Sequence, residues 1–217
     1  MKSYVSPLVL ALFILTLVTT VIGYLVVPAG ISLPVHWGPN GEADGFAPRD
    51  IALAMPILVL AAVWGLFLAI ARFAPSWQVE RSRAMSRAAL GMLSGIFLCV
   101  AVVTVLSGIG TKVDIVRALS LGVAGLLVVL GNAMPKSQPN SFAGLRTRTT
   151  LADPVNWHET HRFTGLLSIV GGIVLAIAAF MAPVNLLIWW IIVCVIVPIT
   201  AGHIYSYRLA KLRARVG

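Results

Sequence analysis

The sequence predicts an all-α fold, a polytopic membrane bundle of six transmembrane helices with both chain ends in the cytoplasm. Three observations lead there. Of the 217 residues, 59% are hydrophobic and only 11% are charged, where a soluble domain carries about 25% charged residues. Six stretches are uncharged, or nearly so, for long enough to cross a ~30 Å hydrocarbon core as helix. Of the 16 Lys and Arg residues, 13 fall on one side of such a bundle and three on the other.

The first stretch, Pro7 to Val27, follows Lys2. It is longer than the apolar region of a signal peptide, and no A-x-A site follows it at Pro28, Ala29 and Gly30, so it reads as a retained span. The others are Ile51 to Ala71, Ala88 to Ile109, Val116 to Met134, Phe163 to Pro183 and Val184 to Tyr207. The fourth is short, and Arg117 must snorkel at its outer end. Residues 182–185 form a tight outer turn, which makes the last two helices a hairpin. The reading gives one membrane domain over 1–217: helices one and two with an outer loop at 28–50 fill 1–72, and helices three to six with a cytoplasmic loop at 135–162 fill 88–217. No internal repeat supports the architecture of inverted-repeat transporters.

Orientation follows from the cations. With the N-terminus inside, Lys2, Arg72, Arg81, Arg83, Arg87, Lys136, Arg146, Arg148, Arg162, Arg208, Lys211, Arg213 and Arg215 are cytoplasmic, while Arg49, Lys112 and Arg117 are outside. That is a strong positive-inside bias. It also explains the net charge of +9 without nucleic acid, because the basic residues sit in short loops where anionic lipid headgroups are the natural partner. Cys99 and Cys194 lie inside apolar runs and read as small hydrophobes, with no disulfide or metal site. Small residues at helical spacing predict close helix packing: Gly91 with Gly95, Ser168 with Gly172 and Ala176, and Thr16, Thr19, Thr20 and Gly23. His203, Tyr205 and Tyr207 read as an inner interfacial belt, with Trp189 and Trp190 nearer the outer half. His203 is essentially the one ionisable group in the spans, which disfavours proton- or sodium-coupled transport and leaves an uncoupled small-solute carrier open.

Two loops are long enough to carry function. In the outer loop, Asn40-Gly41 is a tight-turn signal that brings His36 and Trp37 toward Asp44 and Phe46. His36, Glu42 and Asp44 then either meet a cationic ligand or cap a small hairpin lid; with no second His or Cys at ligand spacing, a metal is not expected. In the cytoplasmic loop, Asp153-Pro154 marks a helix start, acid at the N-cap and proline at N1. On that helix Trp157 and His161 share a face, and His158 and Arg162 the neighbouring one. Arg146, Arg148 and the threonines Thr147, Thr149 and Thr150 could grip a phosphate or carboxylate, or hold the loop on anionic headgroups. His158 and His161 are one residue too close for the zincin motif, and no cofactor is expected.

The run Asn140-Ser141-Phe142-Ala143-Gly144-Leu145-Arg146-Thr147, then Thr150-Leu151 and Trp157-x-x-Thr160-His161-Arg162, with Gly131-Asn132 before it and Gly165 after, resembles the signature of the SdpI-type immunity-protein family. The outer loop, with Pro34-x-His36-Trp37 and Asn40-x-Glu42-x-Asp44-Gly45, resembles the small domain of unknown function that commonly precedes it. The resemblance implies a bacterial inner-membrane protein that protects the cell from a secreted toxic peptide and can relay its presence to a cytoplasmic repressor. It implies a ligand-binding motif of Asn132, Asn140, Phe142, Gly144, Arg146, Thr147, Thr150, Trp157, His161 and Arg162, with His36, Trp37, Asn40, Gly41, Glu42 and Asp44 in the outer loop and no catalytic residue. The alternative is an intramembrane enzyme or lipid handler, with Arg146, Arg148 and His161 on a phosphorylated headgroup and Asn140 orienting it.

Overall fold

The computed structural model describes residues 4–38 and 40–216, with the side chains of 215 and 216 excepted. Lys2 and the Arg215 side chain, both counted on the cytoplasmic side, lie outside the described residues. In chain order the elements are α1 (Pro7–Val26), β1 (Ser32–Trp37), β2 (Ala43–Pro48), α2 (Arg49–Phe73), α3 (Ser76–Gly108), α4 (Ile115–Ala133), α5 (Arg148–Ala152), α6 (Pro154–Met181) and α7 (Val184–Val216). Six of these helices, all but the five-residue α5, are long and apolar enough to cross a membrane.

Local chemistry starts the helices where the sequence offers caps. Ser6 accepts the Val9 N–H at 3.3 Å with Pro7 at the first helical position, and Asp114 accepts the Arg117 N–H at 3.0 Å. Asp153 caps α6 through the Val155 N–H at 2.9 Å, as its Asp-Pro start predicts.

The bundle is two helix triplets joined through α3 and α4. In the first, α1 packs on α2 and α3, around Tyr4, Val9, Leu60, Trp64, Val79 and Leu90. In the second, α4 packs on α6 and α7, around Ala124, Leu175 and Cys194. Thr16, Thr20 and Gly23 face inward as expected, and Gly172 lies so close to α4 that a Cβ there would meet the Ala124 carbonyl at 2.6 Å. The tightest crossing is Gly131 on α4 against Gly165 on α6, where a Cβ on either would meet the other's carbonyl oxygen at 2.5 Å. The Gly91 and Gly95 pair is different: a Cβ at Gly91 meets only Val9 at 3.5 Å, and one at Gly95 meets nothing within 4 Å. That pair does not make the close crossing its spacing predicts.

Two further features go beyond the six spans. First, the fold is mostly helical, and the turn expected at Asn40-Gly41 closes the loop at 28–50 into an antiparallel hairpin, β1 on β2, with Leu33 opposite Ala47 and Trp37 opposite Ala43. Gly41 supplies the turn with φ +84 and donates to the Gly38 carbonyl at 2.9 Å. The hairpin is seated by Leu33, which is buried with Val27, Ala52, Leu53 and Val105. Second, α3 begins at Ser76 and α7 continues to Val216, well beyond the apolar runs that begin at Ala88 and end at Tyr207. Charged residues end a membrane span without ending a helix, and the α3 extension has its own apolar contacts: Val79 and Met85 are buried, and the Tyr4 hydroxyl bonds Ser82 Oγ at 2.9 Å.

Arg117 does not simply reach toward headgroups. Its Nε lies 3.1 Å from Asp114, and its guanidinium donates to the carbonyls of Ala179 and Ala182, closing the C-terminal end of α6. Arg49 ties α1 to α2, donating to the Val27 carbonyl at 2.9 Å and lying over the Tyr24 ring.

Candidate functional site

At the basic end of the bundle, the segment between α4 and α6 folds onto three helices at once. Asn140, 2% exposed, organises its start: Oδ1 accepts the N–H groups of Phe142 and Ala143 at 2.9 and 2.8 Å, and Nδ2 donates to the carbonyls of Gln138 and Ala143. Gly144 then takes φ +111 and passes over the Trp157 and His161 rings, where a Cβ would collide with His161 Nε2.

His161 is fully buried and its two ring nitrogens are both engaged. The Leu145 N–H donates to Nε2 at 2.9 Å, so that nitrogen carries the lone pair; Nδ1 faces the Trp157 carbonyl at 2.7 Å, so it carries the hydrogen. The ring is therefore neutral. The α6 helix is about 42 Å long, more than a ~30 Å core needs, and His161 precedes the apolar run that begins at Phe163. Outside the span, burial pushes its pKa down from 6.5 to about 4, against the raising effect of the Trp157 carbonyl and with His158 adding to the fall. Trp157 stacks on the imidazole at 4.1 Å and donates Nε1–H to Ser137 at 3.2 Å.

The threonines close the unit onto α7. Thr147 and Thr150 form a reciprocal capping box on α5, and the Thr150 hydroxyl also donates to the Leu145 carbonyl at 2.7 Å. The hydroxyls of Thr147 and Thr149 meet Ser206 Oγ on α7 at 3.1 and 2.9 Å, and Asn156 Nδ2 donates to the Ser206 carbonyl. On the other flank, Gln78 of the α3 extension exchanges two bonds with Ser141, and Gln138 N–H donates to the Arg81 carbonyl.

The motif thus divides. Asn140, Thr147, Thr150, Trp157 and His161 are buried, with Gly144 against them, and hold the unit together; Phe142 is half-buried. Asn132, Arg146 and Arg162 are exposed, as are Arg148, His158 and Arg208. Arg146 donates to the Ser141 carbonyl and leaves a basic outer face. His158 and His161 diverge, one exposed and one buried. Sequence reading missed Gln78, Ser137, Asn156 and Ser206. No spacing rule points to them, because each is made important by an element far away in the chain.

At the opposite end, His36 Nδ1 lies 2.5 Å from Asp44 and Asn40 Nδ2 donates to Glu42 at 3.0 Å, so the turn does bring these side chains together. Among the described residues, no three His, Cys, Asp or Glu side chains converge as metal ligands. Trp37 is half-buried beneath the hairpin.

Comparison with known proteins follows the same division. Residues 136–207 match the SdpI/YfhL protein family, and residues 11–60 match a domain of unknown function, DUF1648. The first segment contains every buried motif residue named above together with Ser206; the second covers most of α1, the hairpin and the start of α2. Immunity protein SdpI of Bacillus subtilis (strain 168) is 24% identical over 210 residues, 97% of this chain and 96% of the relative. Uncharacterized protein YfhL of the same bacterium is 29% identical over 94 residues, 43% of this chain and 78% of the relative. No solved structure matches the chain. The chain thus carries an SdpI/YfhL family segment at residues 136–207, behind a DUF1648 region at 11–60, on a framework of six helices long and apolar enough to cross a membrane.

Proposed function

We propose that this is an immunity and sensor protein of a bacterial inner membrane. It binds a secreted membrane-active peptide, protects the cell from it, and presents its basic face to a cytoplasmic repressor in the bound state. The observation that carries the reading is similarity to Immunity protein SdpI along nearly the whole of both chains. The geometry supports it in two ways. The buried motif residues bond to one another and to α6 and α7, and Ser141 beside them bonds to α3, so a shift between those helices reaches the exposed Arg146, Arg148 and Arg162. Both His161 nitrogens and the Thr147 and Thr150 hydroxyls are engaged in holding the fold, which favours a platform over the enzyme or lipid-handling alternative.

The test is a gene deletion in the native host, challenged with the cognate or co-encoded membrane-active peptide. Sensitisation, reversed by the wild-type gene, is expected; unchanged sensitivity to every such peptide overturns the reading. The triple variant Arg146→Ala, Arg148→Ala, Arg162→Ala is expected to keep protection and lose repressor capture at the membrane.

A further inference from the structure

Three cavities meet at one side chain, Trp37, at the hairpin end of the bundle. The first, about 120 Å³, opens between α2 and α3 and is lined by Met55, Pro56, Val59 and Phe97. The second, about 350 Å³, opens between α3, α4 and α7 against Leu119, Ile188 and Ile191. Val35 above and Val100 below line both, so the two flank α3 under the roof made by β1. The third, about 660 Å³, lies over the α3–α4 connection and is more polar than the others, with Ser107, Thr111, Lys112 and Asp114, while His36 lies at the edge of the second.

Depth and chemistry together specify an occupant. Val100 lies about 12 Å below the end of α3 and Val59 about 15 Å below the start of α2, the depth of one leaflet of a ~30 Å core. The hydroxyl in the first cavity, Thr104, already donates to the Val100 carbonyl at 2.9 Å. A peptide backbone placed there would bury N–H and C=O groups without partners. A hydrocarbon chain has none to satisfy. Above, Asp114 is neutralised by Arg117 and caps α4, while Lys112 is exposed and has no partner among the described residues. A free ammonium at the polar mouth of two one-leaflet apolar clefts matches a phosphate carrying two chains.

We propose that the hairpin end of the bundle binds one anionic phospholipid of the adjoining leaflet, its acyl chains in the two apolar cavities on either side of α3, its phosphate at Lys112, and Trp37 between head and tails. The site is independent of the immunity reading and stands or falls without it.

The full chain, purified in detergent, is offered phosphatidylglycerol, phosphatidylcholine with the same chains, or inorganic phosphate, and retained lipid is counted by native mass spectrometry alongside thermal stability. One phosphatidylglycerol per chain is expected, preferred over phosphatidylcholine roughly five-fold. Lys112→Gln is expected to remove the preference and leave the fold unchanged. Val100→Trp, which fills the shared wall, is expected to lose both lipids; if it does not fold, Met55→Trp blocks the first cavity from its lipid-facing side. Equal retention of the two lipids with no effect of Lys112→Gln overturns the proposal. So does stabilisation by inorganic phosphate equal to that by lipid, which would leave only an anion site. Retention untouched by both tryptophan variants also overturns it. Displacement of the lipid by a model Lys/Leu amphipathic peptide, with no dependence on Lys112, assigns the cavities to a peptide instead.

Discussion

His161 has no nitrogen left for a second proton. Protonating Nε2 would set an N–H against the Leu145 N–H in a fully buried site. Because its pKa is depressed to about 4 in the folded protein from 6.5 in the open chain, the open state takes up the proton first as pH falls. The stability this residue contributes is complete above about 6.5 and is lost as pH falls toward 4, by up to about 1.4 kcal/mol per pH unit. Hydrogen-exchange protection of the Leu145 amide, corrected for intrinsic rate, is expected to drop through that window. In His161→Asn the drop should be absent; a wild-type profile that stays flat contradicts it. Gly144 gives the companion prediction. Gly144→Ala must hold φ near +111 and push a methyl into the imidazole, so the unit opens at a cost of about 1–3 kcal/mol. Faster trypsin cleavage after Arg146 and Arg148 would report it. The shared face of Trp157 and His161 was legible from their i,i+4 spacing. The role of the threonines was not. Five nearby donors read as an anion grip or as contacts to anionic headgroups, but a short polar segment entering a helix uses its hydroxyls on its own backbone first, as Thr147 and Thr150 do.

At the scale of elements, hydropathy located six spans because it measures where the solvent is hydrocarbon. It is blind to helix that continues into water, and so the α3 extension from Ser76, with Gln78 and Arg81 against the motif segment, could not be read. The hairpin was legible through Asn40-Gly41, whereas its register depends on Leu33 finding Leu53 and Val105 from distant helices. Glycine spacing was a weaker guide than glycine surroundings. The Gly91 and Gly95 pair has the familiar interval but room beside it, while Gly131 and Gly165 face each other across a crossing where backbone meets backbone. Gly95→Ala is expected to leave thermal stability in detergent unchanged. Gly165→Val should lower it by roughly 1–3 kcal/mol, toward the upper end because the atom it meets is a carbonyl that cannot rotate away. Fluorescence-detected size exclusion after heating distinguishes the two, and equal loss in both variants would contradict the packing described here.

For the molecule as a whole, the two ends differ in what their cations do. At the hairpin end, Arg49 and Arg117 close helix termini by donating to carbonyls of neighbouring chain segments, which leaves Lys112 exposed. At the other end, Arg83 pairs with Glu80, Arg213 with Asp153 and Arg146 donates to the Ser141 carbonyl, while Arg148, Arg162 and Arg208 are exposed. Positive charge held in the fold contributes less to a surface potential than positive charge at the end of a mobile side chain. Cations are held in the fold at both ends, so the asymmetry rests on the count of 13 against three taken from the sequence. This favours placing the motif in the cytoplasm and the hairpin outside. The placement is checked with single cysteines in a Cys99→Ala, Cys194→Ala background. A membrane-impermeant maleimide added to intact cells is expected to label Glu42→Cys, exposed at the hairpin turn, and to reach Arg146→Cys only after permeabilisation. Labelling of residue 146 from outside would reverse the molecule in the membrane. The lipid at Lys112 would then belong to the inner leaflet, and the basic face would be unable to meet a cytoplasmic partner.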